Sequence, residues 1–357
     1  MPEDISFLDV VTLGSRALTQ SSKASKNTSG QSTLMFCLGW GIFSGLFFLL
    51  FGALAPGEDA RPDWFLISIN FLEIFAFLLA AFLCFRNSGS SQIISGRTVW
   101  LALGIGMISY AAGNVFFFLW GTVWGLDPSV SMGDGVYFIS YGSLIVGMLL
   151  AALPRRIDLT VPQWIMIFAI GAVGIVLACV LNYGFPSFSA TRLLPPAIAA
   201  EEQLWVQAPP EETVESAEET VEPVDVEETA VETEEIVAGL VPAPGWAKAL
   251  DSTLEKYADS VTLMYVIADC FLVVIAAAVL VAFWGGRFSQ SWKLIAIATF
   301  CLYIADMSLA FAAAVDNYNE GALWEVFWIW SALFFAAGAA IEYNVSKRSR
   351  RGARRRA

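Results

Sequence analysis

Apolar residues run along this chain in eight stretches, about 33–55, 63–85, 98–121, 136–153, 162–182, 260–284, 290–314 and 321–343, with polar connections between them. A hydrocarbon core of ~30 Å takes roughly 20 helical residues to cross, and the fourth run is the shortest of the set. Backbone groups inside a bilayer must satisfy one another, so runs of this length fold as helices. The pattern therefore predicts an all-α fold, a polytopic membrane helical bundle of eight transmembrane helices. Composition agrees, with 57% hydrophobic residues and a mean hydropathy of +0.64, well above the soluble-globular norm.

Loop charges orient the bundle. Lys and Arg collect on the cytoplasmic side of a membrane. With the amino terminus inside, 16 of the 20 basic residues fall in cytoplasmic segments, and only Arg61, Arg192, Lys248 and Lys256 lie outside. Eight crossings then return the carboxyl terminus, with its KRSRRGARRR run, to the same side. Segment 1–32 lacks an apolar core followed by a small-residue cleavage site, so it reads as a cytoplasmic segment rather than a secretory signal. Within it, Ile5, Phe7, Leu8, Val11 and Leu13 have the spacing of a weak surface helix. The expected location is the cell membrane, with both termini cytoplasmic and the lipid bilayer as the first partner. The basic tail 344–357 is too short to suggest nucleic acid binding.

The net charge of −13 is concentrated in one place. Residues 201–236 carry 14 acidic and no basic residues, so the rest of the chain is close to neutral. Rich in Glu, Pro, Thr and Val, this stretch has too little contiguous apolar surface to offset the entropy of ordering it. Residues 183–259 are expected to be a disordered acidic outer loop; a docking strip for a basic partner is the alternative. Cys37, Cys84, Cys179, Cys270 and Cys301 fall inside predicted spans and read as small packing residues. There is no histidine, which removes histidine-ligated haem, the common zinc sites and histidine base chemistry. No phosphate-cradling glycine loop or nucleophile elbow is present. The sequence implies neither a cofactor nor an enzymatic reaction.

Polar positions repeat across the two halves. Counting from Trp100 and from Trp292, fourteen residues on, each helix reaches a polar group, Asn114 in one and Asp306 in the other. After a loop, Asp134, Tyr137 and Ser140 match Glu325, Trp328 and Ser331. Glu73 and Asp269 occupy comparable places in the second and sixth runs. Units four helices apart run in the same direction, so the pattern predicts two parallel four-helix repeats, residues 33–182 holding the first with helix five and 260–343 completing the second.

Depth groups the candidate site residues. At ~1.5 Å per residue, Asn114, Asp306, Asp269 and Glu73 lie about 10 to 15 Å below the outer helix ends, in one layer. Asn70, three residues before Glu73, shares its helix face, while Asp134, Tyr137, Glu325 and Trp328 are expected at the outer mouth. A carboxyl group in hydrocarbon needs a partner, water or a proton, and no Lys or Arg is predicted at that depth. The layer is thus a candidate for ligand binding or proton-linked chemistry, although such groups also bond between packed helices without any ligand. Gly41-x-x-x-Gly45 permits close helix packing. Tryptophans 64, 120, 124 and 324 near outer ends and 100, 164, 284 and 292 near inner ends fit aromatic belts.

The stretches GRTVWLALGIGMISYAAGNVFFFLWG and SMGDGVYFISYGSLIVGMLLAALPRR, echoed by SQSWKLIAIATFCLYIADMSLAF and ALWEVFWIWSALFFAAGAA, resemble the multi-helix membrane sensor regions at the amino termini of bacterial and archaeal diguanylate cyclases and kinases. The resemblance covers helices two to four and six to eight, about half the chain. It implies a sensor-like or scaffold protein without its own catalytic domain, since only 14 residues follow Tyr343. Such a protein acts through a small or lipid-like ligand or through another membrane protein. A proton- or cation-coupled transporter using intramembrane carboxylates is the alternative reading.

Overall fold

The computed structural model describes residues 31–53, 61–126, 130–152, 160–183, 240–283, 289–314 and 318–354. Among them there is no strand, and eight helices are long and apolar enough to cross a membrane. In chain order the helices are α1 (Gln31–Phe51), α2 (Asp63–Ser88), α3 (Arg97–Phe118), α4 (Met132–Ala152), α5 (Val161–Tyr183), the short α6 (Gly245–Leu254), α7 (Ala258–Ala282), α8 (Ser289–Ala314) and α9 (Val326–Arg354). The amino-terminal segment through residue 30 and the acidic stretch 184–239 lie outside the described residues.

Local chemistry sets the ends. Pro62 stands just before α2 in extended geometry, where its missing N–H costs nothing. A turn of π-helix, Leu119–Val123, closes α3 before Gly125 turns with φ +62°. The predicted acidic loop is shorter than expected at its carboxyl end. Val241 donates its N–H to Val123 O (2.9 Å), α6 follows, and a 3-10 turn at Glu255–Tyr257 leads into α7. This strap is held on the end of α3 by Trp120 Nε1, which donates to Asp251 Oδ1 at 2.8 Å, and by Trp246 packed edge-on against Trp124. The amphipathic α6 could not register as a membrane span because it is short and half polar.

Six helices close a ring. Neighbours pack in the order α2, α3, α4, α7, α8, α9 and back to α2. We call upper the end that bears the α1–α2, α3–α4 and α8–α9 connections. At the lower end Trp100 of α3 and Trp292 of α8, both fully buried, meet across the ring with centroids 6.1 Å apart, and Phe283 stacks on Trp292. Leu103, Met107, Leu144, Met148 and Phe335 fill the interior beside them. Trp100 and Trp292 are therefore core residues, and Trp120 is buried where it bonds the strap, so none of the three belongs to an aromatic belt. Bulky indoles with no aliphatic substitute of equal volume fill the centre of a six-membered ring that branched side chains would leave hollow. Trp64 and Trp164 are exposed, as a belt requires; Trp284 lies outside the described residues.

Small residues fix the crossings. A Cβ on Gly147 would lie 2.9 Å from Leu103 Cδ2, and one on Gly338 would lie 3.0 Å from Ile295 Cγ1, so α4 meets α3 as α9 meets α8. On the outside of the ring, α1 lays Gly41 and Gly45 against the Trp330 ring, whose Nε1 donates to Gly41 O at 3.0 Å, and Trp40 Nε1 donates to Leu72 O. Helix α5 packs elsewhere: Tyr303 of α8 donates to Gly174 O at 2.6 Å, and Val274 of α7 sits over Gly171. So α1 rests on α2 and α9 while α5 rests on α7 and α8. Four-helix repeats in strict symmetry would set α5 against α4 and α7.

Cys37, Cys84 and Cys301 are buried, Cys270 is half-buried and Cys179 exposed; all five are free thiols. Cys37, Cys84 and Cys301 thus fit their reading as packing residues, whereas Cys179 does not.

Candidate functional site

All six ring helices contribute to one polar layer above the tryptophan floor. Its pieces follow from helical spacing: Asn70 and Glu73 on α2, Tyr110 and Asn114 on α3, Tyr137 and Tyr141 on α4, Tyr265 and Asp269 on α7, and each pair, three or four residues apart, presents to one face. Asp306 comes from α8 and Trp328 from α9.

Two matched hydrogen bonds anchor the layer. Tyr137 donates its hydroxyl to Asn114 Oδ1 at 2.6 Å, and Trp328 donates Nε1 to Asp306 Oδ1 at 2.7 Å. Tyr141 donates to the other oxygen of Asp306. Asp269 lies beside Asp306 and Tyr141. Tyr141 has a single hydroxyl hydrogen and gives it to Asp306, so Asp269 meets Asp306 carboxyl to carboxyl. The Glu73 carboxyl neighbours Asn114, Asp306 and Glu320. Asn114 Nδ2 is buried beside the Glu73 carboxyl.

Aromatic rings wall the layer. Tyr110 stacks on Phe77 (4.0 Å) and meets Tyr137 edge-on (5.0 Å), and Tyr265 lies between Phe138 and Tyr141. Glu73, Asp306, Tyr137 and Trp328 keep part of their surface free although protein encloses them.

The upper rim is clamped. Arg61 donates Nε to Gly52 O (2.7 Å) and Nη1 to Asn319 O, Asn319 Oδ1 and Glu320 O, tying the α1–α2 connection to the α8–α9 connection. The clamp needs glycine at 321, where φ is +89° and a Cβ would fall 2.7 Å from Phe65 Cε1 and 2.9 Å from Arg61 Cδ. Held this way, Glu320 turns inward and accepts from Asn70 Nδ2 at 3.0 Å. Burial pushes the Glu320 carboxyl above its usual range, and the Asn70 hydrogen bond works against that rise.

Of the predicted residues, Asn70, Glu73, Asn114, Asp269, Asp306, Tyr137 and Trp328 come together here. Tyr137 and Trp328 sit in the layer itself, one turn deeper than a mouth position. Asp134 and Glu325 do other work. Asp134 accepts from Ser131 N (2.6 Å) and from Tyr265 (2.6 Å), and Glu325 accepts from the Gly321 and Ala322 amides, so both cap the starts of their own helices. A carboxylate in the first helical turn finds free N–H groups within reach, which outcompetes an open mouth. Sequence reasoning missed Tyr110, Tyr141, Tyr265, Glu320 and Arg61. The tyrosines carried a signal, each four residues from a predicted member; Glu320 and Arg61 carried none, because their convergence depends on two loops meeting.

Fold and layer define an integral membrane protein with a carboxyl-rich interior facing tyrosines. Comparison with protein-family models, with curated proteins and with solved structures finds no match. Among the described residues, no three acidic or cysteine side chains converge closely enough to hold a metal ion.

Proposed function

We propose that this chain is a sensor-like membrane receptor or scaffold that takes a small or lipid-like ligand into the polar layer from the upper side and passes its occupancy to another membrane protein. No enzymatic step enters this reading. The observation that carries it is the contrast along the ring axis. A partly exposed layer of carboxyl, amide and phenol groups lies above an interior filled by Trp100, Trp292, Met107, Leu103 and Met148. A receptor needs access from one side, whereas a carrier needs it from both. The bias of Lys and Arg among the loops favours the upper side as the outer one. The paired contacts Tyr137–Asn114 and Trp328–Asp306, with Gly147–Leu103 and Gly338–Ile295 below them, support a duplicated origin for the two halves.

Proton- or cation-coupled transport is the second reading, favoured by the adjacent carboxyl groups of Asp269 and Asp306. One labelling experiment separates the two. In a background lacking the five native cysteines, Tyr137→Cys and Met107→Cys are treated with a membrane-impermeant maleimide from each side. The receptor reading expects Tyr137→Cys to react from outside only and Met107→Cys from neither side. Labelling of either position from the cytoplasm would favour the transporter.

A further inference from the structure

We infer that Asp269 and Asp306 form a one-proton site that latches α7 to α8, with Asp269 in the acid form donating to the Asp306 carboxylate. The two groups meet carboxyl to carboxyl where adjacent ring helices pack, Asp269 on α7 buried and Asp306 on α8 partly exposed. Two ionised carboxylates in contact repel strongly in an interior of low polarity, so such a pair keeps a single proton between its members. Hydrogen-bond directions say which member carries it. Asp306 accepts on both oxygens, from Trp328 Nε1 at 2.7 Å and from the Tyr141 hydroxyl. An ionised carboxylate has lone pairs for both donors and for a third, whereas a carboxylic acid commits one oxygen to its own hydrogen. Tyr141 spends its one hydrogen on Asp306, so the hydrogen between the two carboxyl groups is supplied by Asp269.

The surroundings offer the pair no counter-charge that would replace the proton. Glu73 faces it from α2, Tyr110 from α3, Tyr137 and Tyr141 from α4, Tyr265 and Cys270 from α7, Tyr303 from α8 and Trp328 from α9, with Glu320 beyond Glu73. These are acids, phenols, a thiol and an indole, and none brings a positive charge. Through Asp306 the pair also holds Tyr141 and Trp328, so one hydrogen completes a network that joins α4, α7, α8 and α9, four of the six ring helices. Loss of that hydrogen leaves two negative charges in contact, and α7 and α8 then part or admit water. The latch goes beyond the receptor reading and does not depend on the layer taking a ligand; labelling of Tyr137→Cys reads access to the layer and not the proton.

The test uses the full chain in lipid nanodiscs, with aspartate isotopically labelled at its side-chain carboxyl carbon, which shifts the infrared stretch of protonated aspartates and leaves that of glutamates in place. At neutral pH the parent is expected to show a label-sensitive stretch of a protonated carboxyl group. The stretch should disappear in Asp269→Asn, persist in Asp134→Asn, and pass to the label-insensitive set in Asp269→Glu, which keeps the acid and serves if Asp269→Asn does not fold. Absence of the stretch in the parent, or its survival in the label-sensitive set of a folded Asp269 variant, would overturn the one-proton site. Raising the pH until the stretch is lost should then free α7. Amide hydrogen exchange over 265–275, scaled to the α3 peptides around Trp100 in the same sample to remove base catalysis, is expected to quicken about tenfold or more in the parent. A folded Asp269→Asn, whose amide holds the hydrogen bond at every pH, shows no such change. Unchanged scaled exchange in the parent, or a stretch that persists until the chain unfolds, would overturn the latch.

Discussion

Asp306 is the acceptor on which two aromatic donors converge, and its replacement by asparagine and by alanine should have different consequences. In Asp306→Ala, Trp328 Nε1 and the Tyr141 hydroxyl both lose their acceptor. Hydrogen bonds between transmembrane helices contribute about 0.6 kcal/mol on average and up to roughly 1.7. Two lost together, with a small void, should cost about 1 to 3 kcal/mol. In Asp306→Asn the amide oxygen still serves Trp328, whose indole can only donate. Its NH2 then turns toward Tyr141, which can accept and move its own hydrogen to the neighbouring Asp269. The rearranged network keeps each donor paired, so this variant should lose less than about 1 kcal/mol. Equilibrium unfolding in mixed detergent and SDS micelles, with unfolding followed by tryptophan fluorescence, measures both. Equal destabilisation of the two variants would refute the rerouting through Asp269. An alanine variant as stable as the parent would refute the network altogether.

Gly147→Ala forces a methyl against Leu103, including its backbone nitrogen at 3.2 Å, whereas Gly142→Ala meets nothing within 4 Å. Overpacking of that kind costs about 1 to 3 kcal/mol, more than the ~1 kcal/mol helix preference for alanine returns; the melting temperature should fall for the first and hold or rise for the second. Removing the rim clamp with Arg61→Ala should raise amide hydrogen exchange at 318–322 by about tenfold or more while leaving the tryptophan floor protected, and unchanged exchange in the loop would count against the clamp. For Glu320 the sign follows from its raised carboxyl. The folded chain holds that proton more tightly than the unfolded chain, so the contribution is present below the unfolded value of ~4.3 and lost as pH rises through the folded value. Glu320→Gln stays neutral, so melts between roughly pH 4 and pH 8 should slope downward more steeply for the parent than for the variant.

The all-α architecture was legible because twenty-residue apolar runs in a bilayer admit one backbone solution. The shared depth of Glu73, Asn114, Asp269 and Asp306 was legible for a related reason: helix rise converts residue count into height. Rotation about each helix axis was not. Every face of a lipid-embedded helix is apolar, so the pattern that tells core from surface in soluble helices is faint here, and Trp100 and Trp292 pass for interfacial residues although they meet at the ring centre. Nor does spacing show which acids are already occupied: Asp134 and Glu325 look like mouth residues until their own helix amides are found bonded to them.

A closed ring whose last wall is the last helix has a history as well as a shape. The segment from Tyr318 to Trp328 supplies the Glu320 partner of Asn70 and the indole for Asp306, and it leads into α9, which packs on α2. During synthesis α2 and α3 enter the bilayer long before that segment leaves the ribosome, carrying Glu73 and Asn114 with them. Tyr137 is then the earliest partner within reach of Asn114, only one helix later. The first half must therefore wait in the membrane as an unfinished wall, its acid facing lipid, water or an assembly factor, until the second half arrives to enclose it.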